Sequence, residues 1–216
     1  MSNQHMYDGW SYERLRQQRN RAHFLLEDPY RFVTVLLHND RLYAIDSPCY
    51  HSSGPLGEGE VMDIEDTFSA GKVACLRCPW HNFLVSIETG EEIEVEPIVT
   101  SDKSKGDGNV HSGGDNAVQE MEMPTYPLRP HWETTTATTS GSGSGGGGGL
   151  RVTRGIVVQR THKVWLDEST GILTIEVEDE KAMRRRPVAS DRVAGDLQSG
   201  ALTMQVFDIK RRKQDE

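Results

Sequence analysis

Two short segments constrain this chain most: Cys49-Tyr50-His51 and Cys78-Pro79-Trp80-His81. Each joins one soft thiolate donor to one imidazole. Each also follows a stretch that reads as a β-strand, RLYAID (41–46) before the first and KVACL (72–76) before the second. Pro48, Gly54, Pro55 and Pro79 supply turn chemistry around them. Two sulfur and two nitrogen donors in tight loops can converge on one metal centre, and the donor types alone leave a Cys₂His₂ zinc site open. Cys75 forms a C-x-x-C with Cys78, the spacing of a thiol-redox motif. It lies within the apolar KVACL strand, however, which favours a buried free thiol outside the donor set.

The rest of the chain reads as mainly β. RFVTVLLH (31–38), Asn39-Asp40 and RLYAID (41–46) form a strand, a two-residue turn and a strand. KVACL (72–76) and FLVSI (83–87) are two more short strands, and EIEVE (92–96) alternates after a Thr89-Gly90-Glu91 turn. VVQRTHKVWL (157–166) and ILTIEV (172–177) form a second hairpin pattern around 167–171. The one segment with a helical stripe is 11–26.

Residues 101–149 break this pattern. They are polar, then rich in Thr, Ser and Gly, and such composition buries too little apolar surface to offset its ordering entropy. Strands return after it, so it reads as a disordered insertion inside a domain, with MPTYPLRPHW (123–132) as a piece able to dock. The expected organisation is an N-terminal extension (1–30), a metal-binding β domain (31–178) and a charged C-terminal tail (179–216). In that tail KAMRRRP (181–187) and KRRK (210–213) read as solvated basic runs.

The formal net charge of −9 argues against nucleic acid as the main partner. Acidic residues gather between 58 and 96, which reads as a solvated face or as a docking face for a basic redox partner. Three cysteines do not suit a secreted disulfide scaffold and point to a reducing compartment. No stretch of 18 apolar residues is present, so no membrane span is expected. The N-terminus lacks the apolar core of a secretory signal. The expected location is cytoplasmic, with import into an organelle left open by Arg14, Arg16, Arg19 and Arg21. The histidines outside the two segments, His5, His23, His38, His111, His131 and His162, show no site-like spacing and read as surface or strand residues.

The C-x-H … C-x-x-H pattern resembles that of Rieske proteins, in which two thiolates bind one iron of a 2Fe–2S cluster and two imidazoles bind the other. The likeness extends past the donors. CYHSSGPL (49–56) and CPWHNFLVSIETGE (78–91) resemble the cluster-binding loops of soluble Rieske-type ferredoxins and Rieske oxygenase domains. It covers 31–98 well and 154–178 loosely. The interval between His51 and Cys78 is longer than is usual in that family, with the extra length assigned to a loop at 57–71. The resemblance implies Cys49, His51, Cys78 and His81 as ligands of one 2Fe–2S cluster. It also implies an antiparallel β base (31–46, 92–98, 150–178) and a smaller cluster-binding subdomain at about 47–91.

Within the family, Gly54 and Trp80 stand where respiratory-chain subunits resemble one another in having disulfide cysteines, and Phe83 and Val85 stand where those subunits have hydroxyl donors. Oxygenases of this kind add a mononuclear iron domain, for which this chain is too short. The resemblance therefore implies an electron carrier without its own catalytic centre, passing single electrons between a flavoprotein reductase and an oxygenase-like acceptor. Two other classes remain beside it: a redox- or iron-sensing interaction module, and a zinc-stabilised β domain.

Overall fold

The computed structural model describes residues 2–66, 71–97, 149–203 and 209–210. The low-complexity insertion, apart from Gly149, the 123–132 segment and most of KRRK lie outside the described residues. In chain order the first elements are β1 (Ser2–Tyr7), α1 (Tyr12–Gln17), β2 (Arg21–Glu27), β3 (Tyr30–His38) and β4 (Arg41–Asp46). A single 3₁₀ turn (Leu56–Glu58) leads into β5 (Glu60–Asp66), β6 (Gly71–Arg77), β7 (Leu84–Ser86) and β8 (Glu91–Pro97). β9 (Leu150–Val157), β10 (Thr161–Asp167), β11 (Ile172–Glu178), α2 (Glu180–Arg185), α3 (Ala189–Gln198) and β12 (Ile209–Lys210) follow. No described helix is long and apolar enough to cross a membrane.

The β-branched run 31–38 becomes the inner strand β3, and it is buried on both faces. Val33, Val35 and Leu37 enter one apolar cluster, while Leu36 enters another. Asn39 and Asp40 both take the left-handed conformation, with φ of 49° and 58°. That geometry matches the twist of the flanking strands and closes the β3–β4 hairpin. The seven-stranded sheet runs β1-β11-β10-β4-β3-β2-β12, antiparallel except for the β2–β12 pair. The five-stranded sheet runs β5-β6-β7-β8-β9 and is antiparallel throughout.

Four expectations need correction. The helical stripe at 11–26 is a helix only over α1. Arg19 and Asn20 then turn left-handed, with φ of 58° and 60°, and Ala22, Phe24 and Leu26 follow at the period of a strand with all three side chains in the core. The N-terminal extension is part of the large sheet: β1 pairs with β11, and β2 pairs with β3. The extra length between the donor segments is not a loop, since residues 60–66 form β5 and pair with β6. β8 and β9 also belong to the smaller sheet, so the base is built from β10 and β11 but not from 92–98 or 150–157.

The charged tail likewise contains two helices that pack. Met183, Val193, Ala194 and Leu197 are buried, and α3 lies against β3. What draws α3 in is a buried charge cluster. Arg31 donates to Asp46 at 2.5 Å and also pairs with Asp191. Arg160 donates to Asp191 through Nε at 2.8 Å and through a terminal nitrogen at 2.6 Å. His162 Nε2 lies 3.0 Å from Asp46 Oδ1, and the Ser190 hydroxyl donates to Asp46 Oδ2 at 2.7 Å. Two guanidinium groups thus face Asp46 and Asp191, with Glu178 at the outer edge 3.3 Å from Arg160, so the buried charges are paired.

Burial alone would raise the Asp46 pKa, but the Arg31 charge and the His162 and Ser190 hydrogen bonds outweigh it and hold the carboxyl below its ordinary range. Asp191 is lowered in the same way: burial opposes ionisation, and the Arg160 hydrogen bonds outweigh it. Both folded values lie below the unfolded ones. Their stabilisation is therefore present above the ordinary aspartate range, about pH 4, and is lost as pH falls through the folded values. Asp46→Asn should cost about 3 kcal/mol at neutral pH, because Arg31 loses a buried counter-charge. Denaturant titration at neutral pH and below about pH 4 checks this: wild type should weaken more on acidification than the variant does.

Candidate metal centre

The two donor segments fold into loops of the same backbone pattern. In the first, the Cys49 N–H donates to Gly54 O at 2.8 Å, and the Ser53 N–H returns to Cys49 O at 2.8 Å. In the second, the Cys78 N–H donates to Phe83 O at 2.8 Å, and the Asn82 N–H returns to Cys78 O at 2.9 Å. Each loop reverses through a left-handed residue four places after its cysteine: Ser53 with φ 58° and Asn82 with φ 61°. Neither is glycine, and neither stood out among the Gly and Pro turn signals. An Asn tolerates that conformation better than most side chains do, and a lone Ser in it carries some strain.

Packing brings the loops together. Cys49, Cys78, Leu56, Leu76, Val85, Ile87 and Val158 share one buried cluster with Leu36 and Ile45 from the large sheet. Gly54 of the first loop lies against Trp80 of the second. A Cβ built there would stand 3.0 Å from Cδ2 of the indole, so this close approach uses the absence of a side chain. The two positions likened to bridged cysteines thus face each other as glycine under a ring. Trp80 is otherwise 60% exposed.

The four donors come in two pairs of opposite character. The thiols of Cys49 and Cys78 are buried in one apolar cluster. Their mutual interaction lowers the Cys78 pKa and raises that of Cys49, with burial adding to the rise on Cys49. The imidazoles of His51 and His81 are exposed, with ring centroids 4.9 Å apart and nearly perpendicular planes. Their Nδ1 atoms address one point: Ser52 Oγ lies 2.7 Å from Nδ1 of His51 and 3.3 Å from Nδ1 of His81. Among the described residues, no three His, Cys, Asp or Glu side chains group as they would around a single metal ion. The pairing of thiol with thiol and imidazole with imidazole is the division that a 2Fe–2S centre with two sulfur and two nitrogen ligands needs. The residues present therefore fit that group.

Cys75 stands apart from the pairs. Its side chain is buried in a separate cluster with Ile64, Val73 and Ile93, and burial pushes its thiol up to about 12. The neighbouring Tyr50 hydroxyl is engaged elsewhere. Tyr50 Oη donates to Glu92 at 2.5 Å, and burial, followed by that carboxylate, raises the phenol above its ordinary pKa. Phe83 and Val85 line the site as apolar groups, with the Phe83 ring 4.4 Å from that of His51.

Sequence reasoning passed over several residues that frame the site. His23, read as an ordinary strand residue, is buried, with Nδ1 3.0 Å from Thr34 Oγ1 and Nε2 2.7 Å from Glu58. Thr34 Oγ1 is in turn 2.6 Å from Ser47 Oγ, just before the first loop. His162 belongs to the Asp46 cluster. These partners lie far apart in sequence, and their only signal is polar residues at inward positions of strands.

Residues 12–114 match the family model of the soluble Rieske-type ferredoxins. A human Rieske domain-containing protein is 34% identical over 77 residues, which cover 35% of this chain. The match spans 45% of that relative's own length. With these likenesses added to a mainly antiparallel β architecture and two Cys/His segments, residues 12–114 are similar to the soluble Rieske-type ferredoxins, a family that binds one 2Fe–2S cluster.

Proposed function

We propose that Cys49 and Cys78 hold one iron of the cluster, that His51 and His81 hold the other through Nδ1, and that the chain is a single-electron carrier. The observation that carries this reading is the sorting of the donors into a buried thiol pair and an exposed imidazole pair. A bound 2Fe–2S cluster supplies a one-electron couple. Cys49 and Cys78 anchor the buried end by presenting sulfur from the apolar cluster around Leu76 and Val85. His51 and His81 form the end that a partner can touch, because they are exposed beside Trp80. Ser52 Oγ lies within reach of both Nδ1 atoms, so the two rings address one point. The partners this arrangement suits are a flavoprotein reductase as donor and an oxygenase-like protein as acceptor.

Cys75 has no place in this set. Cys75→Ser should leave bound iron unchanged, whereas Cys78→Ser should abolish it. Iron and acid-labile sulfide assays on the purified variants check the assignment, and equal loss from both would reassign the thiolates.

The polar surroundings set the expected potential. Extra negative charge on the site is stabilised chiefly by hydrogen bonds to its sulfur atoms. Phe83 and Val85 carry no hydroxyl, and the Tyr50 hydroxyl is turned to Glu92. The Glu92 carboxylate acts in the same direction, weakened by solvent. The potential should therefore lie low in the Rieske range, on the order of −150 mV rather than +300 mV. Protein-film voltammetry at neutral pH measures it. A clearly positive value would contradict a carrier reduced by a flavoprotein and favour a respiratory-type role.

A further inference from the structure

The first donor loop is held from a distant part of the chain by one side chain. Gln159 is fully buried, and all of its amide hydrogen-bonding groups point to the segment entering that loop. Its Nε2 donates to Asp46 O at 2.8 Å and to Pro48 O at 2.7 Å. Its Oε1 accepts the Tyr50 N–H at 3.1 Å. The two carbonyls and the N–H flank Cys49 on both sides, so this one amide spans the backbone that aims the Cys49 thiol and the His51 ring.

Gln159 is itself held rigidly. The Val158 and Gln159 N–H groups both donate to Gly90 O, at 2.9 and 3.0 Å. Gly90 has φ +72°, and a Cβ there would stand 1.9 Å from Gln159 O, so only glycine permits this approach. Val158 is buried beside Cys49 and Cys78 in their apolar cluster. On the other side, the Arg160 N–H donates to Ser190 Oγ at 3.0 Å, its carbonyl accepts the Asp46 N–H at 3.0 Å, and its guanidinium binds Asp191. The amide thus occupies one orientation, and Asp46 is gripped by side chain and backbone together.

We propose that Gln159 is the positioning residue of the first donor loop: it fixes the backbone on both sides of Cys49 through three hydrogen bonds. Gln159 lies beyond the residues matched to the ferredoxin family, so the site depends on a strut outside the matched region. The inference rests on the ligand assignment proposed above. It requires that Gln159 act locally on the loop, beyond any share it has in overall stability.

Hydrogen-exchange mass spectrometry on the full chain with its cluster tests this. In wild type the Tyr50 amide should be protected, although Tyr50 lies outside any strand. Gln159→Met keeps the volume and removes all three bonds. It should speed Tyr50 exchange by roughly fivefold or more, the size of one lost buried hydrogen bond. Core amides of β3 such as Leu36 should change less, and a chelator should strip iron faster from the variant than from wild type. If Gln159→Met does not fold, the wild-type protection of Tyr50 and the same comparison in Gln159→Asn, whose amide is one methylene short of the loop, decide the matter. An unprotected Tyr50 in wild type, or acceleration equal at Tyr50 and Leu36, overturns the proposal. Wild-type protein without iron would instead overturn the ligand assignment while leaving the Tyr50 comparison readable.

Discussion

The buried pairing of Asp46 with Arg31 is the constraint around which this protein is organised. A carboxylate at 2% exposure is tenable only with a counter-charge and hydrogen bonds, and the chain supplies these from separate places. Arg31 comes from β3, His162 from β10 and Ser190 from α3, while Asp46 ends β4. One interaction therefore ties the centre of the large sheet to the C-terminal helix. Because Asp46 lies three residues before Cys49, the same interaction fixes where the first donor loop begins. The arrangement is costly to disturb in part, since removal of any one charge leaves its partner unbalanced.

Beyond that anchor, the site is built by near repetition. Two hairpin-like loops carry the same hydrogen bonds around their cysteines and reverse through left-handed Ser53 and Asn82. They differ in histidine position, two residues after Cys49 and three after Cys78, and in how they are braced. The second loop is continuous with the smaller sheet through β6 and β7, whereas the first relies on Gln159 and on the Pro48–Pro55 bridge. An apolar cluster around the thiols and solvent at the imidazoles then separate a buried end from an exposed one. That separation suits a carrier, because electron exchange requires access at one end while retention of the metal favours burial at the other.

Legibility in the sequence followed how local each determinant is. The β3–β4 hairpin and the burial of Cys75 in an apolar strand were readable because each rests on a few adjacent residues. The strand β2 was hidden behind a helical stripe, since Leu15, Ala22 and Leu26 fit one helical face until Arg19 and Asn20 reverse the chain. The helices α2 and α3 were hidden because their charges resemble a solvated run, although Asp191 is spent on Arg31 and Arg160. Gln159 and His162 could not be found by pattern, because their partners lie more than a hundred residues away. The assignment of β8 and β9 to the smaller sheet depended on pairing across the insertion, which strand propensity does not specify.

The central claim is that two imidazoles and two thiolates share one iron–sulfur centre, and its most direct test reads the nitrogen ligands themselves. Full-length protein labelled with ¹⁵N-histidine would be reduced and studied by electron–nuclear double resonance. Coupling from two inequivalent histidine nitrogens should appear in wild type, and only one should remain in any His51 or His81 variant that still holds a paramagnetic cluster. A reduced paramagnetic centre without histidine nitrogen coupling, or a diamagnetic metal site, would contradict it.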